Sequence, residues 1–193
     1  MSAFLGPVHF WLYDKIGRQE ELTKAVALYA SENGWIADQN DYIKDLPALE
    51  GVIDTGNIHG WLQNQIHDAE TRYADLICSI TDGHSERMDE IQDVAAGFGR
   101  SNGCSSAESP ADVYRAFEDF FVNGMPCDRV NVVGSEDDSE VSWEMTQDIH
   151  AQYWNGDASR YYTIRSSVMN GMLDKTPFIL LSPDYAHYTI RKK

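Results

Sequence analysis

Along the first hundred residues apolar side chains return every three or four positions, and after residue 128 the spacing shortens to that of strands. The clearest helical stripe is Ile58, Leu62, Ile66, Ala69, Tyr73, Leu76 and Ile80. Asp54, Thr55 or Asn57 can cap its start, and Asp82-Gly83 can end it. A second stripe over Ser85 to Phe98 sets Met88, Ile91, Val94 and Ala95 on one side. Asn33-Gly34, Leu46-Pro47 and Thr81-Asp82-Gly83 break the helical part into pieces. A further helix starts at Ser109-Pro110-Ala111-Asp112, with Ser as cap and Pro at the first helical position, and carries Val113, Phe117, Phe120 and Phe121.

Beyond that helix, Arg129 to Val133 and Glu140 to Met145 read as strands joined by the acidic turn Ser135 to Ser139. A helix near Gln147 carries His150, Tyr153 and Trp154 into the break Asn155-Gly156, and Asp157 caps another through Leu173. Phe178 to Leu181 and Tyr185 to Arg191 close the chain as strands, in the order β-β-α-α-β-β. The expected class is therefore α+β, a helical N-terminal part followed by a small antiparallel sheet with helices on one face. The small, polar residues 99–108 mark the boundary, giving a part over 1–104 and a part over 105–193 packed together as one unit.

Within the helical part a motif occurs twice without a gap, G-x-[VI]-H-x-W-L-x-x-x-I-x-x-x-E, at Gly6 to Glu20 and at Gly56 to Glu70. His9 aligns with His59, Trp11 with Trp61, Leu12 with Leu62, Ile16 with Ile66 and Glu20 with Glu70. Duplication of a helical unit explains this register; two copies are too few for a solenoid. At about 100° per residue, residues 7 and 11 apart share a face, so His, Ile and Glu of each copy line up. His and Glu then sit about 16 Å apart on one helix, too far to share a ligand. Antiparallel packing of the copies would bring His9 to Glu70 and His59 to Glu20. Gly17 counts against an unbroken first helix. Trp11 and Trp61 point away from the His face as packing residues, and Gly60 leaves room for a close approach.

Three roles fit such pairs. They can be His–carboxylate hydrogen bonds that close the ends of a helix pair. They can bind a divalent transition metal, Fe or Zn, through His9, His59, Glu20 and Glu70 with help from His67. They can also contact a small organic ligand. The Glu-x-x-His pattern of di-iron bundles is absent; His67-Asp68-Ala69-Glu70 runs in the opposite order. A separate aromatic stretch, His150, Tyr153, Trp154, Tyr161, Tyr162 and Arg165, suits an apolar ligand with one anionic group, with His150, Tyr153 and Arg165 as its contacts. The same stretch suits an ordinary helix–sheet interface.

Charge narrows the partners. Fifteen basic against thirty-one acidic residues give a net charge of −16, which repels nucleic acid and anionic membranes. Cys78, Cys104 and Cys127 are isolated and odd in number, which points to a reducing cytoplasm rather than a disulfide framework. The start lacks a signal-peptide pattern, and no apolar run approaches the length of a membrane span. Cys127 has Arg129 or His150 as possible activators, but no cysteine-enzyme signature surrounds it. Phosphate-binding glycine loops, G-x-S-x-G, H-E-x-x-H and EF-hand spacing are all missing. The expected function is binding of a metal or small ligand between the repeated helices, in a sensory or accessory role. The rivals are a metal-dependent enzyme using the same His/Glu set and a structural or protein-interaction module.

Overall fold

The computed structural model describes residues 4–193. Four helices come first: α1 (Pro7–Glu32), α2 (Ile58–Thr81), α3 (Arg87–Ser101) and α4 (Pro110–Phe120). Strands β1 (Asn131–Glu136) and β2 (Glu140–Met145) follow, then α5 (Ser159–Met172), β3 (Phe178–Leu181) and β4 (His187–Lys192). All strand pairs are antiparallel, in the order β1-β2-β4-β3. The class is α+β.

One difference from the pattern lies between β2 and α5, where a single 3-10 turn, Ala151–Tyr153, replaces a helix. The Asp148 carboxylate accepts the backbone N–H groups of His150 and Ala151 and starts the turn. Asn155 (φ 54°) and Gly156 (φ 89°) then take left-handed conformations and stop it. Residues 33–57, between α1 and α2, hold only two 3-10 turns, at Gln39–Asp41 and Leu49–Gly51. Gly17 does not interrupt α1, which is continuous for 26 residues.

The sheet buries one face. Val141, Trp143 and Met145 alternate inward on β2, joined by Tyr188 and Ile190 on β4 and Phe178 on β3. Trp143 stacks on Tyr188 across the strands and meets Tyr114 and Phe117 of α4. The main core cluster runs without interruption from Val26 and Ile77 in the helical part to Ile164 and Ile190 in the second. The closest seam between the two parts is the α3–α5 crossing. A Cβ on Gly99 would lie 2.1 Å from the Val168 carbonyl oxygen, and one on Gly171 would lie 2.3 Å from that of Ala96. Any side chain at either place would push the helices apart.

The helices of the duplicated motif lie side by side and parallel. The rings of His9 and His59 are 5.7 Å apart, those of Tyr13 and Trp61 are 5.8 Å apart, and Glu20 meets Arg72 further along. Contacts that advance together on both helices require the same direction. The long segment 33–57 makes this possible, since it must return the chain along an α1 of about 39 Å. Leu12, Ile16, Leu62, Ile66 and Ala69 fill the seam between them.

Candidate functional site

Parallel packing corrects the expected pairing: His9 faces His59, and neither histidine reaches a repeat glutamate. The proposed ligand set His9, His59, Glu20 and Glu70 is thus spread over three places. Among the described residues, no three His, Cys, Asp or Glu side chains are grouped to hold a metal ion.

His9 is a cap. Its Nδ1 accepts the Gly6 backbone N–H at 2.9 Å, satisfying a donor just ahead of the helix. Pro7 opens α1 and has no side-chain acceptor, so the third position does the work. In the second copy Asn57 stands where the first has Pro7, and its side chain accepts the Gly60 N–H. His59 is thereby released to the surface. Gly60 makes room for that cap rather than for another helix: a Cβ there would lie 2.3 Å from Asn57 Nδ2.

The two glutamates part in the same way. Arg72 donates to both carboxylate oxygens of Glu20, to Asp68 and to the Tyr42 carbonyl, while Lys44 donates to Asp68. Burial works against the Asp68 charge, but the bonds from Arg72 and Lys44 outweigh it and hold the group below the usual carboxylate range. The position matching Arg72 in the first copy is Leu22, so Glu70 has no arginine. It is met instead by His150, whose Nδ1 stands 3.2 Å from Glu70 Oε2.

Around that pair lies a small hollow, about 80 Å³ in volume, between α2 and later parts of the chain. Gln63, Ile66 and Glu70 line it from one stripe of α2; Val122, Gly124 and Asp128 come from the segment after α4, and Ile149, His150, Gln152 and Tyr153 from the 3-10 turn. Both side chains of the pair are only 1% exposed. The His150 ring lies flat on Tyr161 at 3.8 Å and edge-on to Tyr162, which fixes its orientation. In the neutral tautomer that directs an Nδ1 proton at Glu70, Nε2 is left as an acceptor. That nitrogen and Glu70 Oε1 are buried without any hydrogen-bond partner. Burial raises the Tyr153 phenol above its ordinary value, and the nearby Glu70 charge adds to the rise. Gly124 adopts φ +72°, and a Cβ there would press on Asp128 and Ile149 at the rim.

Of the three expected aromatic-site residues, His150 and Tyr153 line the hollow and Arg165 does not. Arg165 is buried behind them, donating to Asn123 Oδ1 at 2.9 Å and lying 4.7 Å over the Phe121 ring. Cys127 is exposed; its thiol contacts Asp128 and does not line the hollow. Sequence reasoning had divided the site between two ideas, with Glu70 in one and His150 in the other. Gln63, Gly124, Asp128, Ile149 and Gln152 escaped it altogether. The one available signal was the mismatch between Leu22 and Arg72, which leaves Glu70 without the partner that Glu20 has. No family model, no curated protein and no solved structure matches the chain.

Proposed function

We propose that this chain binds a small hydrogen-bonding molecule in the hollow over Glu70 and His150, in a sensory or accessory role. The supporting observation is the pair itself: two side chains, almost fully buried, each keep a polar atom unpartnered beside a hollow that they line. A buried unsatisfied group costs about 1–3 kcal/mol, and a ligand or water supplying donors removes that cost.

The test is a fragment screen of the isotope-labelled protein by amide-shift NMR. Saturable shifts grouped on Gln63, Gly124, Ile149, His150 and Gln152 are expected for at least one chemical class. If every fragment leaves these amides unmoved while Glu70→Leu/His150→Phe raises stability, the pair is packing alone and the proposal fails. A stoichiometric metal in tag-free protein, lost together with stability in chelator, would favour the metal reading instead.

A further inference from the structure

Taking the hollow as a ligand site, we infer that its ligand is a small organic cation rich in N–H donors, an alkylammonium or alkylguanidinium. Both unpartnered atoms are acceptors, Glu70 Oε1 and, with the proton on Nδ1, His150 Nε2. A carboxylate or phosphate brings only acceptors and would leave both unsatisfied. The lining also has an acidic balance: Glu70 and Asp128 are present, whereas no lysine or arginine is. An anion therefore meets like charge there and no lysine or arginine to offset it. Ile66, Val122 and Ile149 add apolar lining suited to a short alkyl group.

Size agrees with this chemistry. About 80 Å³ has room for several waters or one small head group, not for a nucleotide or an extended peptide. Neither acceptor touches solvent, so a ligand reaches them only if the side chains lining the hollow shift. The −16 net charge of the whole chain enriches cations around it and repels the competing anions.

The experiment is an amide-shift titration at constant ionic strength with five probes: methylguanidinium, methylammonium, tetramethylammonium, acetamide and acetate. Methylguanidinium or methylammonium should saturate shifts at Gly124, Ile149 and His150. Tetramethylammonium, which has the charge but no N–H, should not. Glu70→Gln should weaken binding about tenfold or more, by removing one charge-assisted bond. Gln63→Trp, at an exposed position of α2, should cover the hollow and abolish binding even if the Glu70 variant does not fold. Acetamide or acetate saturating the same amides would overturn the cation inference and leave the site standing. Saturation by tetramethylammonium equal to that by methylammonium would reduce the effect to surface charge and overturn it too. If no probe saturates, the cation inference also fails, while the fragment screen decides the fate of the site separately.

Discussion

The two copies of the duplicated motif share their aligned His, Trp, Leu, Ile and Glu, yet only Leu and Ile do the same job in both. Ile16 and Ile66, like Leu12 and Leu62, meet in one seam. The polar members diverge because a neighbour differs. Pro7 against Asn57 decides which histidine caps, and Leu22 against Arg72 decides which glutamate gets a guanidinium. Burial of an aliphatic side chain is non-directional and survives small changes around it. A hydrogen bond fails when one atom is missing, so a polar group is free to acquire a new partner once its old one is lost. Glu70 has found His150, 80 residues away in the chain, and with it the hollow.

The largest expected effect comes from making the first glutamate resemble the second. Arg72→Ala leaves the buried Glu20 carboxylate without its paired cation, and should cost about 3–5 kcal/mol in denaturant unfolding. A loss below 1 kcal/mol would mean that water serves Glu20 as well as arginine does.

Next is Lys15, which stands where the second copy has Gln65. It is 3% exposed, with its ammonium 4.0 Å over the Trp11 ring, and burial lowers its pKa from 10.5 to about 8. A lysine whose folded pKa lies below its unfolded one holds its proton less readily in the folded chain. Its cost to stability is therefore present in full below pH 8 and fades as pH rises towards 10.5. Lys15→Gln should thus gain about 2–3 kcal/mol near pH 7, less the loss of the Trp11 contact. The advantage over the parent should shrink between pH 8 and 10.5 in parallel urea titrations. An advantage that grows over that interval would refute the assignment.

The smallest effects separate the histidines. His9→Ala removes a cap and a buried ring, and should cost about 1–2 kcal/mol. His59→Ala, at the surface, should stay within about 0.5 kcal/mol. Equal losses on thermal melting would show that the two rings support each other rather than only one helix start.

Most of the fold was legible because it rests on periodic burial. The stripe from Ile58 to Ile80 is α2, Ser109-Pro110 begins α4 with Ser109 accepting the Asp112 N–H, and Asp157 accepts the Ser159 N–H at the start of α5. The site was half legible. Its residue types drew notice locally, but the direction in which α2 packs on α1 is set by the course of residues 33–57, a segment with no periodic pattern to read. Both polar sets were therefore named without being joined. The stretch at Gln147 looked helical because His150, Tyr153 and Trp154 share a helical spacing; the left-handed Asn155-Gly156 follows too soon for more than one turn.

The glycine crossing of α3 and α5 carries a consequence for how the chain comes into being. Gly99 and Gly171 touch with nothing between them, although some seventy residues are synthesised after the first and before the second, several seconds of elongation at ribosomal rates. Throughout that interval the first hundred residues have no α5 to close their core, and Glu70 has no His150. The contacts open to the helical part in that interval are its own: the α1–α2 seam, the packing of α1 on α3 and the Glu20–Arg72 pair.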